Sequence, residues 1–188
     1  MDALLTALLG CLLGEIGDKS QLLLIALAMR FNRNGVMIAA IAVAAIANAA
    51  LSAAAGAFIA PMLATNARIL FLALALIFLG GGLLMRVRQP DMLEGWRLGA
   101  FLTSALGLFI LGFGDGPQFL ILGVATRTGE PMLAALGGAI GVIAAQTTAV
   151  LMRERLLAVL PIRAIRLGGG ALVLAAGFMV GATALSLT

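Results

Sequence analysis

At 188 residues, 63% apolar and only 11% charged, with a mean hydropathy of +1.17, the chain cannot cover its own surface in water, because soluble domains carry roughly a quarter charged residues. With no histidine and one cysteine, Cys11, it has no internal disulfide, no Cys-rich metal site and no imidazole to act as ligand or proton carrier. The net charge of +4 points to no nucleic acid, because the arginines sit in short loops between apolar stretches.

Six apolar stretches follow in order, each near the ~20 residues that cross a bilayer. The first runs from about Leu4 to Met29 and is interrupted by Glu15-Ile16-Gly17-Asp18-Lys19-Ser20-Gln21. Asp2 is its only early charge, and without a basic leading segment it is expected to be a retained helix. The second, Val36 to Ala60, contains Asn48 and Ser52, and the third runs from Ile69 to Met85. A longer loop from Arg86 to Arg97 precedes the fourth, Leu98 to Ala125, broken by Gly112-Phe113-Gly114-Asp115-Gly116-Pro117-Gln118. The fifth, Pro131 to Met152, holds Gln146, Thr147 and Thr148. A basic connection from Arg153 to Arg166 leads to the sixth, from Leu167 to the C-terminus. Lipid tolerates no open sheet edge, so all six are expected to be helices and the fold class all-α integral membrane.

Arginine placement gives the orientation. Arg68 and Arg127 lie on one side, and the other nine arginines fall in the first, third and fifth loops. Basic loops stay cytoplasmic, so both termini are expected outside.

Gly17-Asp18-x-x-Gln21 recurs as Gly114-Asp115-x-x-Gln118, an offset of 115 − 18 = 97 residues. Each copy interrupts the first helix of a three-helix half. Three is odd, so the halves enter the membrane from opposite sides, as in the inverted repeats of secondary transporters. The expected organisation is residues 1–88, a connecting loop 89–97, and residues 98–188.

Glu15, Asp18, Lys19 and Asp115 lie deep inside apolar stretches. Each costs about 3 kcal/mol or more in hydrocarbon, which marks an ion or substrate path facing a wet interior. Glu15 and Asp18 share a helix face, as do Asp18 and Gln21, and Asp115 and Gln118. Oxygen-only ligation suits hard divalent cations such as Ca²⁺ and Mn²⁺. The competing reading is an Asp18–Lys19 or Glu15–Lys19 ion pair that merely locks helices. Pro117 is read either as opening the backbone of a site or as an ordinary kink. Gly137-x-x-x-Gly141 and Gly177-x-x-x-Gly181 permit close helix contact, inside the chain or in a homodimer.

Glu15-x-Gly17-Asp18-Lys19-Ser20-Gln21 resembles the signature of the GDT-type cation/proton exchangers, which include the Golgi transmembrane protein 165. The second copy departs from it, with Gly112, Gly116 and Pro117 where the family has an acid, a base and a hydroxyl. The resemblance implies two inverted three-helix repeats, exchange of Mn²⁺ or Ca²⁺ for protons, and no resident cofactor. We expect Glu15, Asp18, Ser20, Gln21, Asp115 and Gln118 to hold the cation, with Glu15, Asp18 and Asp115 coupled to protons. Glu15, Asp18 and Asp115 against Lys19 leave a formal charge of −2, matched to one divalent ion. Other readings are an exporter of a small organic solute, a membrane protease misread from Asp18 and Asp115, and a non-transporting membrane subunit. We expect no enzymatic activity, and a multi-pass protein of a bacterial inner membrane.

Overall fold

The computed structural model describes residues 1–185, so positions 186–188 of the predicted last helix lie outside the described residues. Among those described, every regular element is helical. They are α1 (Asp2–Glu15), α2 (Lys19–Phe31), α3 (Asn34–Ile59, continued by a 3-10 turn Ala60–Met62), α4 (Thr65–Leu84), α5 (Gly99–Gly112), α6 (Gly116–Thr128), α7 (Pro131–Met152), α8 (Glu154–Val159) and α9 (Ile162–Ala184).

The first and fourth predicted helices are each divided at the motif. Ile16 is extended, Gly17 takes φ +68, and Asp18 is extended again at the N-cap of α2. Phe113, Gly114 (φ +75) and Asp115 repeat that backbone within a few degrees. A side chain in this left-handed region crowds its own carbonyl, so a glycine ends each half-helix. Pro117 therefore makes no break. It lies in the first turn of α6, where an N–H would have no helical partner in any case.

The offset of 97 residues extends well beyond the motif. Helices α5, α6, α7 and α9 begin 97 positions after α1, α2, α3 and α4 respectively. The basic connection is a short helix, α8, and α9 starts just after Pro161 rather than at Leu167. Arg163 and Arg166 thus belong to a helix and not to a loop.

Among the described residues four helices are long and apolar enough to cross a membrane: α3 with its 3-10 extension, α4, α7 and α9. The pair α5 and α6, bent by 64°, makes a fifth when taken as one broken span. The protein is a multi-pass membrane protein, and large side chains such as Phe58, Phe78, Leu172, Phe178 and Met179 stand on its outside.

Close packing depends on small residues, as expected where lipid supplies no hydrophobic drive between helices. A Cβ on Gly137 would strike the Leu4 carbonyl, and one on Gly141 the Leu8 carbonyl, so α7 lies directly on α1. Gly177 and Gly181 face Ala73 and its neighbours on α4. Both glycine pairs are used within the chain, so neither offers a homodimer face. One core joins Cys11, Leu76, Leu79, Leu120, Ile121 and Val173; a second joins Leu23, Leu27, Met37, Ile41, Leu108 and Val150.

Candidate functional site

Asp18 and Asp115 each occupy an N-cap, where an aspartate ordinarily accepts a hydrogen bond from the first turn of its helix. Neither side chain makes that bond. Both carboxylates are left for the space between the half-helices, with the dipole ends of α2 and α6 behind them. They line one cavity of about 470 Å³, together with Lys19, Arg86, Arg88 and Arg166. Asp18 Oδ2 is buried without a hydrogen-bond partner.

Lys19 neither stays on its own half nor pairs with Asp18 or Glu15. Its Nζ lies 3.3 Å from Asp115 Oδ2. Asp115, which has no basic neighbour in sequence, receives one across the fold.

Glu15 ends α1 and is buried. Its Oε2 accepts from Ser20 Oγ at 2.5 Å and from Gln146 Nε2 at 2.9 Å. A second, enclosed cavity of about 20 Å³, room for about one water-sized body, is bordered by Glu15, Asn48, Gly112, Asp115, Gln118 and Gln146. Asn48 Oδ1 is buried there without a partner, while its Nδ2 donates to the Phe109 carbonyl. Asp115 borders both cavities.

The two glutamines of the motif do different work. Gln21 Oε1 accepts from the Gly17 N–H at 2.9 Å, and its Nε2 donates to the Ala145 carbonyl at 2.7 Å. It fastens the Gly17 turn to α7 and borders neither of these two cavities. Gln118 accepts from Ser52 Oγ and faces the enclosed cavity. Ser20 acts through Glu15. The structure therefore gathers Glu15, Asp115 and Gln118 in one place, Asp18 and Asp115 in another, and turns Gln21 away from both.

Arg166 lines the larger cavity too, which loop counting hides. It lies one turn into α9 and is buried. Its guanidinium donates to the carbonyls of Ile16 (3.3 Å), Gly82 (3.0 Å) and Met85 (3.4 Å), and lies 4.0 Å from Asp18 Oδ1. Pro161 was the available signal, since proline favours a helix start and moves Arg166 from loop to helix. Adding Arg166 to the residues of the motif takes the formal sum from −2 to −1, and Arg86 and Arg88 line the same cavity as well.

The donor set around the breaks is oxygen: three carboxylates and the amide oxygens of Asn48 and Gln118. That chemistry fits a hard divalent cation. Among the described residues no three acidic or cysteine side chains close into a cluster that would hold a metal.

Comparison with known proteins agrees with this chemistry. A family model described as divalent cation/proton antiporter GDT1 matches residues 3–93 and 100–187. A protein of Vibrio cholerae serotype O1 (strain ATCC 39541 / Classical Ogawa 395 / O395) named "Putative manganese exporter" is 33% identical over 122 residues. That match covers 63% of this chain and 59% of the relative, so the chain spans under two thirds of that protein's length. No solved structure matches the chain.

Proposed function

The chain belongs to the divalent cation/proton antiporter family GDT1, and from that premise we propose that it exports Mn²⁺ in exchange for protons, with Ca²⁺ the second candidate cargo. The name of the Vibrio relative supports manganese and the outward direction. The observation that carries the reading is the placement of Asp18 and Asp115. Each opens a half-helix, each leaves its cap unmade, and both line one cavity.

In this reading α1 with α2, and α5 with α6, each count as one broken span, giving six crossings in two inverted repeats, 1–88 and 98–188, joined by 89–97. The equal starts at an offset of 97 support it. Both termini face outward from a bacterial inner membrane, in line with the arginine bias. Asp18 and Asp115 form the symmetry-related core of the cation site, with Gln118 adding oxygen and Ser20 and Gln146 orienting Glu15. Gln21 holds the backbone turn and does not ligate. Glu15 has no counterpart, because Gly112 stands in its place, and it carries the proton.

Coupling requires no separate proton path. A cation arriving beside Asp18 and Asp115 favours the charged form of the nearby carboxylates, Glu15 included, so metal arrival expels protons and metal departure invites them back. Rocking of the halves around that fixed site gives alternating access. No bond is made or broken in the cargo, so the protein acts as a transporter and not as an enzyme, and no cofactor is required.

The test is ion flux in proteoliposomes across Mn²⁺, Ca²⁺ and Mg²⁺, with and without an imposed pH gradient. Mn²⁺ uptake into the lumen driven by an acidic lumen, with matching proton efflux, is the expected result. Flux of none of these ions under any gradient would remove the reading.

A further inference from the structure

The two halves match in backbone but not in charge. Lys19 is the first residue of α2, directly after Asp18, and its counterpart 97 positions on is Gly116, directly after Asp115. From its place Lys19 crosses to Asp115. By the same geometry a base at 116 would cross to Asp18. Gly116 supplies no such base, and the guanidinium of Arg166, from a different helix, stands 4.0 Å from Asp18 Oδ1.

Two further observations set Arg166 apart. Its counterpart in the first half is Ile69, so the repeat does not require a base here. Its own carbonyl partners come from the α1–α2 break (Ile16) and the C-terminal end of α4 (Gly82, Met85). Those contacts aim the head group into the cavity, beside an aspartate whose other oxygen has no partner.

We propose that Arg166 is the counter-ion of Asp18, occupying the place that position 116 leaves vacant, so that each central aspartate carries a tethered cation which the transported metal must displace. Lys19 does this at Asp115 and Arg166 at Asp18. The tethered cations keep the unloaded site from holding two bare carboxylates in hydrocarbon, and they weaken metal binding enough to permit release. This rests on the transport reading above.

The experiment measures KM and kcat for Mn²⁺ flux, and direct Mn²⁺ binding by calorimetry in detergent, for Arg166→Gln, Arg166→Lys, Gly116→Lys and Gly116→Met. Arg166→Gln removes the competing charge and keeps a polar amide at the position; KM and Kd should fall about three- to tenfold, with kcat falling as release slows. Arg166→Lys should stay near the parent. Gly116→Lys adds a second cation at Asp18 and should raise KM by a similar factor, beyond the effect of Gly116→Met, which controls for bulk against Leu79. An unchanged KM and Kd in a monodisperse Arg166→Gln protein, or a rise in either, overturns the counter-ion role. If Arg166→Gln does not fold, Gly116→Lys decides: a KM no higher than that of Gly116→Met overturns it. A parent protein without flux in any ion defeats the transport reading instead; Mn²⁺ binding that Arg166→Gln tightens would still support the counter-ion.

Discussion

Lys19 Nζ lies 3.3 Å from Asp115 Oδ2 although 96 positions separate the two residues, so the basic group beside one aspartate neutralises the other. The side chains are about one-third and one-quarter exposed to the shared cavity. A pair this accessible locks helices weakly, since exposed ion pairs contribute ~1 kcal/mol or less. The same accessibility suits the exchange of partner for metal proposed for Asp115.

Asp18→Asn and Asp115→Asn are expected to reduce Mn²⁺ flux to the level of empty liposomes while leaving a folded, monodisperse protein. Each removes an anionic oxygen that no other residue replaces. Radiotracer or fluorescent-dye uptake reads the loss, and normal flux in both variants would remove these residues from the site.

In the proposed exchange a proton on the site carboxylates disfavours the metal, so KM for Mn²⁺ should rise as pH falls on the loading side. Glu15→Gln keeps the shape of the Ser20 and Gln146 contacts but cannot take up a proton. It should retain Mn²⁺ binding within about tenfold, roughly 1.4 kcal/mol, and lose dependence on the pH gradient. Preserved proton-driven exchange in this variant would disprove the role given to Glu15.

Cysteines introduced at Arg88 and at Arg127, in a Cys11→Ala background, should label from opposite sides of sealed vesicles with a membrane-impermeant thiol reagent. The positions lie at the two ends of the arginine bias. Labelling of both from one side would contradict six crossings and the inversion together.

Gly17 and Gly114 share a left-handed backbone but not a setting. A Cβ at Gly17 would run into Ile162, whereas nothing lies within 4 Å of one at Gly114. Alanine at either costs ~1–2 kcal/mol from backbone strain alone. Gly17→Ala should therefore lower the detergent melting temperature more than Gly114→Ala, and asparagine should be tolerated at 114 only. Equal losses would mean that the packing of α9 against the first break contributes little.

Gly137→Ala should destabilise the protein by about 1–3 kcal/mol, because its Cβ meets a backbone carbonyl that cannot swing aside. Thermal denaturation followed by scattering would show it. Gly35→Ala, where the space is open, is the comparison.

Much of this protein was legible in its residues. Six apolar runs and their arginine-bearing connections gave a membrane protein of helices, because hydrocarbon admits so few backbone forms. The repeated polar motif marked the two interruptions, and the left-handed turns at Gly17 and Gly114 that make them are seen in the structure. The acids at 15, 18 and 115 declared themselves by their cost in lipid. Other features could not be read that way. Pro117 looked like a breaker and proved to be a helix start, because the turn at Gly114 had already ended α5. Gln21 and Gln118 looked equivalent, yet one holds a turn and the other faces a cavity. The competing sequence reading paired Lys19 with Asp18 or Glu15, and Lys19 reaches Asp115 instead. Arg166 looked like one more loop arginine and stands 4.0 Å from Asp18, 148 positions away. Local conformation and burial cost depend on a few adjacent residues, so a sequence states them directly. Which charge meets which is set by how closely the helices approach, and that is decided by contacts such as Gly137 on the Leu4 carbonyl, which exist only once the chain has packed.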